Sequence, residues 1–72
     1  MSFTSKDLIR FAMAMGWFEV SQEGSHKHFK HPVHKGKATI PHPKREIAPK
    51  TLSSILKQLN SSKEEFISWL NG

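Results

Sequence analysis

A chain of 72 residues that contains no cysteine can be held together only by packing. It is too short to enclose two separate hydrophobic cores, and neither a disulfide nor a thiolate metal site is available as a staple. The expectation is one domain over residues 1–72, without a large enclosed active-site cavity. The lack of thiols fits a reducing cytoplasm. The start, Met1-Ser2-Phe3-Thr4, does not open a signal peptide, and no stretch approaches the roughly 20 apolar residues that span a bilayer. No membrane association is expected.

The pattern of apolar residues and chain breakers divides this one core into six short elements. Thr4-Ser5-Lys6-Asp7 reads as a helix start, because Thr4 or Ser5 can cap the free amides of the first turn. Leu8, Ile9, Phe11, Ala12 and Met15 follow at helical spacing, and Gly16 supplies a stop. Trp17 to Gln22 alternates in character as a half-buried strand does, with Phe18 and Val20 read as facing inward. Glu23-Gly24 turns the chain into a second strand over Ser25 to His31, and the loop Pro32 to Gly36 leads to a third over Lys37 to Ile40. Pro41-His42-Pro43 ends the sheet, since proline cannot donate to a ladder. Pro49 then suits an early helix position, and Leu52, Ile55, Leu56 and Leu59 form an apolar stripe. Ser62-Lys63-Glu64-Glu65 reads as a capping box for a last helix carrying Phe66, Ile67, Trp69 and Leu70. The order α-β-β-β-α-α predicts an α+β fold, with a three-stranded antiparallel sheet whose helices pack on one face and leave the other open.

Charge is concentrated rather than spread. The formal charge is +5, and of the 11 lysines and arginines the interval from Gly24 to Arg45 holds Lys27, Lys30, Lys35, Lys37, Lys44 and Arg45 with no acidic residue, and it contains all five histidines. Such a field attracts a polyanion: RNA, DNA or an acidic protein. A solvated basic surface is the plain alternative.

The run Gly24-Ser25-His26-Lys27-His28-Phe29-Lys30-His31 is the most informative stretch. If Phe29 faces the core, His26, His28 and Lys30 share the outer face, with neighbours about 7 Å apart. Cutting RNA without a metal needs a base for the 2'-hydroxyl, a cation for the phosphorane charge and an acid for the leaving oxygen, and histidine and lysine can supply all three. The internal 2'-nucleophile restricts the substrate to RNA and leaves a 2',3'-cyclic phosphate. His26 stands out as the catalytic candidate because it follows Gly24-Ser25, where a tight turn allows close approach of a ligand. Ser25, Lys27, His28, Lys30, Lys37, Lys44 and Arg45 are the candidates for RNA binding or transition-state support. Ser25 is a poor nucleophile, with no carboxylate nearby in sequence to orient a histidine base. A zinc site built from His26, His28, His31 and His34 competes, but no cysteine or carboxylate joins the group and the surrounding cations oppose a divalent ion. The scattered carboxylates disfavour a two-metal nuclease. No metal or other cofactor is expected.

Several short pieces occur together in a familiar order: Lys6-Asp7-Leu8-Ile9, Gly16-Trp17, Gly24-Ser25-His26 with Phe29, Pro41-His42-Pro43 before Glu46-Ile47, Thr51-Leu52 with Ile55-Leu56-Lys57-Gln58, and Glu64-Glu65-Phe66. In these, nearly end to end, the chain resembles the HicA toxins, whose fold is similar to the double-stranded-RNA-binding domain. The resemblance implies an mRNA interferase of a type II toxin-antitoxin system, an endoribonuclease neutralised by a HicB-type antitoxin, with the histidine after Gly-Ser, His26, as its catalytic residue. Where many relatives carry a second histidine directly after the first, this chain has Lys27, with His28 one place later. The alternative reading is a non-catalytic RNA-binding module of the same shape, and product analysis separates the two.

Overall fold

The computed structural model describes residues 2–72; Met1, where the stretch read for a signal peptide begins, lies outside the described residues. Helix α1 spans Ser5–Ala14, strands β1, β2 and β3 span Phe18–Glu23, His26–Lys30 and Ala38–Pro41, and helices α2 and α3 span Pro49–Gln58 and Lys63–Asn71. The three strands form one antiparallel sheet in the order β1-β2-β3. This is the α+β, double-stranded-RNA-binding-domain-like arrangement expected from the sequence.

Local chemistry sets the helix ends. Thr4 caps α1 through a full capping box: its hydroxyl accepts from the Asp7 amide at 3.1 Å while Asp7 accepts from the Thr4 amide at 3.3 Å. Gly16 leaves the helix at φ 98°, a conformation open mainly to glycine. Pro49 opens α2 behind Ala48, which offers no capping side chain. At α3 only half of the expected capping box forms. Ser62 accepts from the Glu65 amide at 3.1 Å, but the Glu65 carboxylate takes the Ser61 hydroxyl instead of reaching back to the cap.

One hydrophobic cluster joins the two layers. Leu8, Phe11 and Ala12 of α1 meet Phe29, Ala38 and Ile40 of the sheet, together with Leu52, Ile55 and Leu56 of α2, Leu59 just beyond it and Phe66 of α3. The Phe66 ring sits edge-on to both Phe3 and Phe11, with centroids 5.0 and 5.2 Å away. Each such ring contributes about 3 to 5 kcal/mol when its removal leaves a cavity.

Three expected core positions lie outside it. Phe18 and Val20 are 49% and 44% exposed, and every residue of β1 is exposed. The helices pack on β3, so the edge strand farthest from it projects beyond their cover. A register shift between Glu19 and Ser21 also interrupts the alternation on which the inward assignment depended. Met15 is exposed as well, because it is the C-cap of α1 rather than part of its last turn.

Candidate functional site

Register assigns each side chain of β2 to a face. Phe29 lies opposite Ala38, and Lys27 opposite Ile40; Phe29, Ala38 and Ile40 are fully buried beneath the helices. His26, His28 and Lys30 therefore point to the open face, where their cross-strand neighbours are Glu23, Ser21 and Phe18 on one side and Pro41 and Thr39 on the other. His26 is the first residue of β2, just past the Gly24-Ser25 turn, in which Gly24 takes φ 57°. The Ser25 carbonyl accepts the His42 amide at 2.7 Å, which ties this hairpin end to the segment leaving β3.

Four of the five imidazoles are held by internal hydrogen bonds. His28 is largely buried, donating from Nε2 to Glu23 Oε1 at 2.9 Å, with Nδ1 3.0 Å from the Thr39 hydroxyl. His31 donates from Nε2 to the Met15 carbonyl at 3.0 Å and accepts at Nδ1 from the amides of Val33 and His34, so it organises the loop after β2. His34 lies against His31 and Trp17 and has a long 3.4 Å contact with Asn60. His42 Nδ1 sits 2.9 Å from the hydroxyl of buried Ser5, which itself accepts the Lys44 amide. His26 differs. Among the described residues its ring has no internal hydrogen-bond partner, and it is exposed.

The His26 ring opens on a cleft of about 390 Å³ between the sheet edge and α2. Its walls are His26, Thr39 and Pro41 on one side and Lys50, Thr51, Ser54, Ile55 and Gln58 on the other, with no carboxylate among them. Helix α2 is fastened there by Gln58, whose Oε1 accepts the Thr39 amide at 2.8 Å. That bond satisfies a donor the edge of β3 would otherwise leave free.

The remaining candidates scatter. Lys27 projects to the helix side, where its ammonium lies 3.1 Å from both Glu19 carboxylate oxygens and from Gln22 Oε1. The interval free of acidic residues in sequence is thus not free of them in space: Glu19 and Glu23, from the opposite strand, meet Lys27 and His28. Lys30 and Lys37 line a separate hollow around the loop 31–36, together with Lys35, His31 and His34. Lys44 and Arg45 line a third with Thr4, Lys6 and His42. Ser25 stays exposed in the turn. Among the described residues no three histidine or carboxylate side chains gather where they could hold a metal ion. Lys50, Ser54 and Gln58, which face His26, are the residues that sequence reasoning did not select. Their spacing along one helix face was visible, but not what that face overlooks.

A family model described as "HicA toxin of bacterial toxin-antitoxin" matches residues 5–60, well over half of the chain. The chain belongs to the HicA toxin family. No curated protein matches it closely. As a HicA toxin it is one half of a toxin-antitoxin pairing, and the match runs from the first residue of α1 to just past α2, enclosing the His26 cleft completely. No described helix of this HicA family member is long and apolar enough to cross a membrane.

Proposed function

We propose that this HicA toxin is a metal-independent endoribonuclease that cuts messenger RNA in the cytoplasm and so arrests translation and growth, with residues 1–72 acting as a single toxin domain. The observation that carries this reading is the freedom of His26 where its four counterparts are tied. A ring with both nitrogens unengaged, beside an open cleft without carboxylates, can accept the proton of a ribose 2'-hydroxyl. The 2'-oxygen then attacks the adjacent phosphorus, the bond to the 5'-oxygen breaks, and the products carry 2',3'-cyclic phosphate and 5'-hydroxyl ends. Only a substrate with a 2'-hydroxyl can follow this course, so DNA is inert.

Substrate capture draws on the basic groups around the open face: Lys30 and Lys37 at one end of the sheet, Lys44 and Arg45 at the other, and the Ser25 turn between hairpin and cleft. His28, bound to Glu23 and Thr39, supports the face on which His26 stands. A HicB-type antitoxin neutralises the toxin by covering this surface, and acidic groups on it would both speed association and exclude RNA.

The test is incubation of nuclease-free protein with RNA in excess EDTA, beside a His26→Ala variant. The parent is expected to produce cyclic-phosphate ends and the variant to leave the RNA intact. Equal cleavage by the two removes His26 from the mechanism, and intact RNA with both, despite salt-sensitive binding, marks a non-catalytic RNA-binding module.

A further inference from the structure

Attack of a 2'-oxygen on phosphorus gathers negative charge on the non-bridging oxygens, and a cation placed at that point stabilises it. The nearest lysine in sequence to His26 cannot serve, since Lys27 lies on the opposite face in contact with Glu19 and Gln22. Across the cleft, however, stands Lys50 in the first turn of α2, exposed and without an ion-pair partner among the described residues. Lys50, Thr51, Ser54, Ile55 and Gln58 recur at the spacing of one helix face, so the cleft wall opposite the imidazole is a continuous strip. Its chemistry is graded: an ammonium at one end, hydroxyls in the middle over buried Ile55, and at the other end an amide whose oxygen is already committed to Thr39. The Gln58 N–H groups therefore remain for an acceptor outside the protein.

We propose that Lys50 is the catalytic cation of this site and that the cleft receives one unpaired nucleotide of an RNA strand. The proposal rests on the ribonuclease reading above. The scissile phosphate lies between His26 and Lys50, the base lies against Ile55 and Pro41, and Gln58 donates to a base-edge acceptor. The 2'-hydroxyl proton passes to His26 as the bond from the 2'-oxygen to phosphorus forms. The bond from phosphorus to the 5'-oxygen breaks, and that oxygen takes its proton from water, which the open cleft admits. Lys50 stays protonated throughout. A cleft of about 390 Å³ is at the small end of ligand sites, suited to a single nucleotide rather than a duplex.

The experiment is single-turnover cleavage of a short RNA in EDTA at saturating protein, comparing the parent with Lys50→Gln, Lys50→Arg and His26→Ala. Binding to the same RNA carrying a 2'-deoxy residue at the scissile position is measured in parallel. Loss of one transition-state cation is expected to slow Lys50→Gln by about 100-fold or more. Its affinity for the uncleavable RNA should fall far less, as for one surface phosphate contact. Lys50→Arg, which keeps the charge, should recover most of the rate. A Lys50→Gln variant that cuts at the parental rate but binds more weakly overturns the proposal and leaves Lys50 as a backbone contact, with His26→Ala still inactive. If parent and His26→Ala behave alike, the ribonuclease reading itself falls and this inference falls with it.

Discussion

At the scale of single residues, the molecule separates histidines that build from one that is left free. His31 illustrates the first kind. Its ring bonds the Met15 carbonyl and two loop amides, and it leans edge-on against Trp17 with centroids 5.2 Å apart. This arrangement depends on Gly16: a Cβ there would come within 2.8 Å of His31 Nε2, at a φ of 98° that side chains rarely adopt. Gly16→Ala is therefore expected to cost about 2 kcal/mol or more of folding stability in urea titrations. Gly24→Ala, with positive φ but nothing within 4 Å of the new Cβ, should lose only about 1 kcal/mol. Equal losses would show that the His31 contact contributes nothing. The importance of Gly16-Trp17 was legible in the sequence as a helix stop, whereas its contact with a histidine fifteen residues onward was not.

At the scale of the element, β2 shows how a strand divides a basic run into two populations. Alternation predicted that His26, His28 and Lys30 share a face once Phe29 is placed inside, and register confirms it. What alternation omits is the neighbouring strand. Glu19 and Glu23 on β1 take up Lys27 and His28, so the positive charge offered to a polyanion is smaller than a count along the chain implies. Lys30→Ala is expected to weaken RNA binding and to reduce the slope of log affinity against log salt by about one. Lys27→Ala should leave that slope unchanged and shift stability by only about 1 kcal/mol, near the upper end of the range for an ion pair that water still reaches. Both follow from binding isotherms at several salt concentrations, and a reversed ranking of the two variants would contradict the face assignment. In α2 the same division by face places Leu52, Ile55 and Leu56 in the core and Lys50, Ser54 and Gln58 over the cleft.

For the whole molecule, the limiting quantity is core size. A domain of this length is expected to have roughly 4 to 11 kcal/mol of stability in total, at about 0.05 to 0.15 kcal/mol per residue. Phe66, fully buried between Phe3 and Phe11, accounts for a large share of it. Phe66→Ala should cost about 3 to 5 kcal/mol and bring the protein close to unfolding, as read by chemical denaturation. The family match ends at residue 60, before α3, yet a chain cut there should fail to fold because the ring that closes the core is gone. A truncated chain with cooperative unfolding would show that α3 is dispensable.

Element types, their order and the single core followed from the sequence by itself, because turn residues, apolar period and helix caps act over a few residues and carry their own signal. The resemblance through Gly24-Ser25-His26 and its companion pieces was equally local. Tertiary structure alone decided which face of β1 is covered, which carboxylates meet Lys27 and His28, and that α2 sets Lys50 across from His26. These are relations between segments distant along the chain, and they depend on where the helical layer sits over a sheet that extends past it. No pattern within one segment encodes that offset.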